Sequence, residues 1–581
     1  MRFFRKKIRK KGSEDLDFEE VLFDTRDDLE MERESMEGVM EKPFSKYSFY
    51  ILGLVLLIFG ILLFMRIFWL TVIQGDELFI RSESNRIDKE IIQPVRGLIY
   101  DRMGHPLVEN IWIEEGEVLK REARDPMAYS HLLGYIGEPS RKDIEIDSDI
   151  TKFQMIGKDG IEYFYDNFLR GDVGYELWEV DADGEIISQG ILKDPEEGRG
   201  VFLSINSDLQ EEAFRLLSST AEDKNFQGGS LLVFDIQNGE ILSFLNYPSF
   251  DINLMSGDTP QEVLDELRTD ERSPFLNRAI AGFYPPGSSI KPFLALAALE
   301  EHNIDPDKEI LSTGSIRIPD PYYPDKYSIF ADWKAHGWVD MRRAIAVSSN
   351  VYFYAIGGGY EDVRGLGIRK IKEWLTVFGF GALTGIDLPG EKAGIVPDPE
   401  WKEYLHPDNP LWRIGDTYNV SIGQGDLTIT PVEMMSALSA LVNREIRPTP
   451  HILLGLSKKD DKFIENQAFE SEALQFDKPS LKVVYEGMRD AVLDGTASYL
   501  SGINIPIAAK TGTAQAMRGR THSWLISFAP YDNPRLGMIV FLESGPEFNL
   551  VGSTFVAGEL FRWIESYGGI DVLLAKQLNE L

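Results

Sequence analysis

No cysteine occurs in the 581 residues, which excludes a disulfide framework, a thiolate metal site and a cysteine nucleophile. Histidine is nearly as scarce, seven in all, and none lies in a motif that would place it as a catalytic base. Positive charge is the third deficit: 60 Lys and Arg stand against 94 Asp and Glu, a net charge of −34. Most of such a surface repels a polyanion, so no nucleic-acid partner is expected. What is present is enough length for several domains of roughly 100–200 residues and at least one large core. Composition is otherwise ordinary, 43% hydrophobic and 27% charged, so whatever distinguishes the chain is local.

Long uncharged runs are rare, with one exception. Tyr47 to Met65 is 19 residues without a charge, about 28 Å as a helix, which matches a hydrocarbon core of roughly 30 Å. Its apolar length and the lack of a small-residue cleavage site after it argue against a cleaved signal peptide. Before it come seven bases and no acid in residues 1–12, then 13 acids against three bases from Ser13 to Lys42. The first block predicts a cytoplasmic N-terminus by the basic-residue rule, and the second a solvated, disordered tail. The expected organisation is a cytoplasmic tip and tail at 1–45, a transmembrane helix at 46–73 and an exported body, with no later span.

In that body, Arg86 to Thr220 has short alternating runs such as Gly200–Ile205 and reads as a β-rich module. From Gly228 the character changes. Residues 228–245 read as two strands joined at Gln237-Asn238-Gly239, an Asn-Gly hairpin signal. Helices are predicted near Pro292–Glu301, Pro431–Asn443 and Thr554–Ser566, and a buried strand at Leu536–Glu543. The interleaving predicts a mixed α/β domain at 226–581 beyond a pedestal at 74–225.

Three short motifs fall in order within this second domain: Ser288-Ser289-Ile290-Lys291, Ser348-Ser349-Asn350 and Lys510-Thr511-Gly512-Thr513. Each alone has an ordinary structural explanation, as a helix N-cap, a turn and a strand-end lysine. Together and in order they match the set used for serine acyl transfer. Tyr284-Pro285-Pro286-Gly287 cannot continue a helix, whereas Pro292 is tolerated in a first turn, so a helix should start near Ser288. Residues three apart share a helical face, which sets the Lys291 amine beside the Ser288 hydroxyl. A serine hydroxyl needs a neighbouring base, and burial together with a second cation, Lys510, would make a neutral Lys291 reachable. Ser348 would relay protons and Asn350 would orient the substrate. Gly512 would allow a ligand close to the strand backbone, and Lys510, Thr511 and Thr513 would form a carboxylate-binding edge.

With these motifs, and with RGLIYDR at 96–102, GKDGIE at 157–162, TGIDLPGE at 384–391 and IGQGDLTITP at 422–431, the chain resembles the class B penicillin-binding proteins. The elongation-type penicillin-binding protein 2 branch is the nearest match. The resemblance implies the penicillin-binding transpeptidase fold, an antiparallel sheet covered by helices on a β-rich pedestal. It implies Ser288 as acylated nucleophile, Lys291 as general base, Ser348 and Asn350 as relay and orienter, and Lys510, Thr511, Gly512 and Thr513 as substrate-binding residues. The backbone N–H groups of Ser288 and Thr513 would be the oxyanion hole. Implied ligands are peptidoglycan stem peptides and β-lactams. Implied partners are a RodA-type SEDS glycan polymerase and an elongation scaffold protein, at the cytoplasmic membrane with the catalytic body periplasmic. The pedestal's head is shortened to about 20 residues between Asn110 and Leu132. Some relatives hold zinc near the site partly through a cysteine; Asp332 and His336 offer at most two ligands here, so no metal or cofactor is expected. A D,D-carboxypeptidase or β-lactam hydrolase, which passes the same acyl group to water, and a non-catalytic structural subunit remain alternatives.

Overall fold

A computed structural model describes residues 46–577 except 79–86, 114–117, 148–149, 153, 181–185, 257–258, 320–322, 324, 444–445, 458–462, 466–468, 470 and 548–550. The basic tip and acidic tail expected at 1–45 lie outside the described residues. The chain divides into two compact units, Met1–Ile87 and Asp88–Leu581. The described part of the first is α1, Lys46–Phe68, continued by a wider turn to Ile73. None of its side chains is buried, which fits an all-round apolar helix able to sit in lipid. It is the one helix among the described residues long and apolar enough to cross a membrane.

In the second unit the pedestal segment carries a three-stranded sheet of Ile87–Ile92, Gly174–Val180 and Ile186–Lys193. A second sheet pairs Ile99–Tyr100 with Val201–Leu203, and the latter with the distant Leu453–Ser457. The two pedestal motifs meet in the interior. Glu162 takes the Arg96 Nε at 2.8 Å and the Arg121 Nε at 2.7 Å, all three side chains at most 3% exposed. Arg102 reaches the other end of the chain, donating to the carbonyls of Leu574 and Ala575 at 2.6 and 3.0 Å. Tyr165 Oη donates to Asp387 Oδ2 at 2.7 Å, and the same carboxylate accepts the N–H groups of Ile452 and Leu453.

The β-rich reading of Arg86–Thr220 leaves out its helices: short ones at Ser130–Leu133, Arg141–Ile146, Gly160–Phe164 and Asp166–Leu169, and one long one. Ser207–Asp223 is a helix, α2, capped by the Asn206 side chain. Its Leu209, Ala213, Leu216 and Leu217 pack under the sheet that follows, an amphipathic pattern at helical spacing in a stretch otherwise read by its short alternating runs.

That sheet has five antiparallel strands: β1 Gly228–Asp235, β2 Ile241–Tyr247, β3 Ala508–Gln515, β4 Thr521–Ala529 and β5 Leu536–Gly545, in the order β2-β1-β5-β4-β3. The β1–β2 connection is the Asn-Gly hairpin, with Gly239 at φ 85°. Successive side chains point to opposite faces, and both faces are covered, hence the unbroken apolar runs. Leu231, Val233, Met538 and Val540 face α2 and the C-terminal helix Ser553–Tyr567. Leu232, Phe234, Ile539 and Phe541 face a larger helical layer. In that layer α3, Lys291–Glu300, is buried from Lys291 to Leu299. Around it lie α4, Met341–Val347, α5, Asn350–Gly358, α6, Pro431–Asn443, and α7, Lys478–Asp494.

Tyr165→Phe removes one of three donors from a buried carboxylate, a hydrogen bond to a charged group worth about 1.5–3 kcal/mol. The full-length chain in detergent should unfold at a lower temperature than wild type, by scanning calorimetry; an unaltered midpoint would show that this joint carries no stability.

Candidate active site

Ser288 sits in a tight turn, Gly287–Ile290, of 3₁₀ geometry, and α3 proper begins at Lys291. In such a turn residues i and i+3 eclipse, so Ser288 and Lys291 share a face although the α-helix starts later than the sequence suggested. Two neighbours fix the turn. Gly287, at φ 55°, donates its N–H to the Gly423 carbonyl at 2.8 Å, and a Cβ on Gly423 would lie 2.1 Å from the Gly287 oxygen. Trp524 Nε1 donates to the Pro285 carbonyl at 3.1 Å.

Lys291 is fully buried. Its amine donates to the Ser348 carbonyl at 2.8 Å, to Asn350 Oδ1 at 2.7 Å and, more weakly, to Ser348 Oγ at 3.3 Å. The Ser288 hydroxyl, half-exposed, makes no hydrogen bond among the described residues, so the expected pairing with Lys291 is not formed in this state. The amine is engaged by the second motif instead, and Ser288 is left open to a ligand.

Ser348 ends α4 at φ 60°. A non-glycine residue there pays about 1–2 kcal/mol of steric cost. That strain sits where the backbone must turn its carbonyl and hydroxyl toward two amines. The second amine is Lys510, also fully buried, which donates to Ser348 Oγ at 3.0 Å and to the Thr511 carbonyl at 2.7 Å.

Lys510 lies on β3, an edge of the sheet. Alternation along this strand buries Lys510, Gly512 and Ala514 while Thr513 and Gln515 stay exposed. The motif therefore does not present one uniform edge. Lys510 points inward, and Thr511 donates its hydroxyl to Thr496 Oγ1 at 2.6 Å. Thr513 alone of the three has an exposed side chain. Gly512 runs directly beneath the Ser288 turn: a Cβ there would lie 2.8 Å from the Pro286 oxygen and 3.1 Å from the Ser289 nitrogen.

Burial lowers Lys291 to about 7, against the raising influence of Asp332. Burial also holds Lys510 well below the ordinary lysine range, and the charge of Lys291 lowers it further.

Three contributors escaped the sequence reading. Ser349, the middle residue of its motif, caps α5. Gly423 grips the Ser288 turn from IGQG. Asp332, weighed only as a ligand, accepts Ser349 Oγ at 2.9 Å, the Val351 N–H at 3.0 Å and the Trp333 N–H at 2.9 Å. A helix-cap signal in Ser-Ser-Asn could have found the first; the other two depend on long-range placement. Among the described residues no group of three or more His, Asp or Glu is placed to hold a metal ion.

Comparison with known proteins gives a consistent picture. The family profile "Penicillin binding protein transpeptidase domain" matches residues 229–564, and "Penicillin-binding Protein dimerisation domain" matches 113–203. The chain is 32% identical to the peptidoglycan D,D-transpeptidase MrdA of Acinetobacter baumannii, over 72% of its own length and 62% of that protein's. It is 30% identical to the MrdA of Haemophilus influenzae, over 88% of its length and 90% of that relative's. The solved complex of the Helicobacter pylori penicillin-binding protein PBP2 with MreC superposes with a TM-score of 0.69 at 27% identity, covering 83% of this chain and 99% of that one.

Two outcomes follow from the geometry. Gly512→Ala sets a methyl 2.8 Å from the Pro286 oxygen, so the strand and the Ser288 turn must part by a few tenths of an ångström, and covalent labelling by a fluorescent penicillin should slow by on the order of 10-fold or more; stopped-flow labelling measures it, and a wild-type rate would show that the close approach is dispensable. A base must be neutral to accept a proton, so the acylation rate should climb as pH rises through about 7, where Lys291 loses its proton, and level off above. A flat profile from pH 5.5 to 9 would remove Lys291 from the role of base.

Proposed function

This chain belongs to the penicillin-binding protein transpeptidases, and from that membership we propose that it is a peptidoglycan D,D-transpeptidase of the elongation type, crosslinking stem peptides through an acyl-enzyme on Ser288. The observation that carries the reading is the convergence of Lys291, Ser348, Asn350 and Lys510, with Lys291 one turn after Ser288 and Lys510 on a strand at the edge of the sheet.

On this reading the donor stem lies as an added strand along β3, since an open edge offers its backbone groups to a peptide. Ser288 Oγ attacks the carbonyl of the penultimate D-alanine as neutral Lys291 takes the hydroxyl proton. The oxyanion faces the backbone N–H groups of Ser288 and Thr513. The C–N bond then breaks, the departing D-alanine amine takes the proton through the Ser348 hydroxyl, and Ser288 keeps the acyl group as an ester. An amine of a second stem attacks that ester, returns its proton through Lys291 to Ser288, and leaves as the crosslink. Asn350 orients the donor backbone. Lys510 meets the terminal carboxylate, and an incoming negative charge raises the amine's proton affinity, against the lowering that burial imposes. Thr511, Gly512 and Thr513 line this end of the groove.

We assign residues 74–225 to the pedestal and 226–581 to the catalytic domain, with α1 in the cytoplasmic membrane, the N-terminus cytoplasmic and the body periplasmic. The relative solved with MreC supports a scaffold protein of that kind as partner, and we extend the reading to a RodA-type glycan polymerase. β-Lactams would acylate Ser288 as stalled donors.

Full-length protein in detergent, treated with a labelled penicillin and digested, should show one acyl adduct, on the peptide containing Ser288, released over hours. Ser288→Ala should carry none and should abolish crosslinking. An adduct on another serine would sink the assignment; rapid release of hydrolysed drug would move it to a hydrolase; crosslinking that survives in Ser288→Ala would leave a structural subunit.

A further inference from the structure

Asp332 closes the hairpin of Ser315–Pro319 and Tyr327–Ala331, outside the three motifs and 17 residues before Ser349, and its side chain has no exposed surface. Its two oxygens divide their work. Oδ2 accepts the Ser349 hydroxyl at 2.9 Å, the Val351 N–H at 3.0 Å and the Ser312 hydroxyl at 3.3 Å. Oδ1 accepts the Trp333 N–H at 2.9 Å and lies 3.6 Å from His336 Nε2. Two of the three residues bonded to Oδ2 adjoin those that hold Lys291: Ser349 lies between Ser348 and Asn350, and Val351 follows Asn350. A further tie runs from Asn350 Nδ2 to the Ala331 carbonyl.

We propose that Asp332 is a positioning residue of the acylation site, fixing the Ser348–Asn350 segment so that its carbonyl, hydroxyl and amide oxygens converge on the Lys291 amine. This rests on the transpeptidase reading above. The geometry is that of a clamp: one carboxylate oxygen takes a side chain and a backbone N–H from the left-handed bend and the first turn of α5, where no regular helix bond is available. The clamp has an electrostatic side as well. Asp332 is the acidic group acting on Lys291 and favours its protonated form. The other ionisable groups around this pair are Lys510, His336, Lys334 and Tyr354. Of these His336 is pushed by burial toward its neutral form, which weakens its opposition to the carboxylate. Asp332 therefore does two separable things: it orients the second motif, and it keeps the pH at which Lys291 becomes a base from falling further.

Asp332→Asn keeps an oxygen for Ser349 and Val351 and removes the charge; Asp332→Ala removes both. Second-order acylation by a fluorescent penicillin is measured against pH from 5.5 to 9 on the full-length chain in detergent, with hydrogen exchange of the 345–356 peptide in parallel. For Asp332→Asn the plateau rate should stay within about threefold of wild type while the rising limb moves to lower pH. For Asp332→Ala the plateau should fall at least tenfold, with faster exchange in 345–356 and unaltered exchange in 291–300. A role in folding alone would lower the amount of active protein without moving the limb. A wild-type limb in Asp332→Asn, or wild-type exchange in Asp332→Ala, overturns the proposal. Failure of wild type to label at Ser288 overturns the transpeptidase reading instead, and the exchange measurement, which needs no labelling, still decides the positioning role.

Discussion

Two lysine amines with no exposed surface converge on a single serine hydroxyl, and much of the surrounding architecture answers the question of how that is tolerated. A buried ammonium costs several kcal/mol in desolvation unless hydrogen bonds and charge compensate it. Here Lys291 finds a carbonyl, an amide oxygen and a hydroxyl, and Lys510 a carbonyl and that same hydroxyl. Supplying those acceptors requires the bend at Ser348, the cap at Ser349 and the approach of β3. Compensation is incomplete, so both groups titrate below the ordinary lysine range. The incompleteness is useful: an amine that holds its proton weakly can take one from a serine and return it within the same cycle.

Much of this was legible residue by residue. Asn238-Gly239 between two apolar runs specified the hairpin, and Pro431 and Asn443 bound a helix where propensity placed one. The eight site residues were named from their motifs; Lys291, Ser348, Asn350 and Lys510 are joined by hydrogen bonds, and Gly512 runs beneath the Ser288 turn. What could not be read is of a different kind. The turn at Ser288 is 3₁₀ because Gly423 and β3 press on it from distant parts of the chain, and neither contact leaves a local pattern. Asp332 has an unremarkable sequence context, and only the hairpin's return sets it beside α5. The helix after Asn206 was overlooked for a more ordinary reason: the preceding strand-like run dominated the stretch, although the helix's own apolar spacing was there to be counted.

The pedestal follows a similar rule with ions in place of amines. Arg96, Arg121 and Glu162 bury one carboxylate between two guanidinium groups, each with further polar partners: Asp166 for Arg96, Asn110 and the Gly97 carbonyl for Arg121. Such a cluster gains little net stability over an apolar packing of equal volume, but losing one member leaves a buried charge uncompensated. It joins two loops that share no strand, RGLIYDR and GKDGIE, which explains why two motifs remote from the catalytic groove accompany it.

The grip of Arg102 on Leu574 and Ala575 has a mechanical consequence. Residues near the beginning of the second unit are fastened to residues near its end, and Lys576 adds a bond to Glu240 at the β1–β2 turn. The polypeptide from 102 to 576 is thus a loop tied at its neck. Tension that reaches Arg102 loads the carboxy-terminal turn and the sheet edge at once.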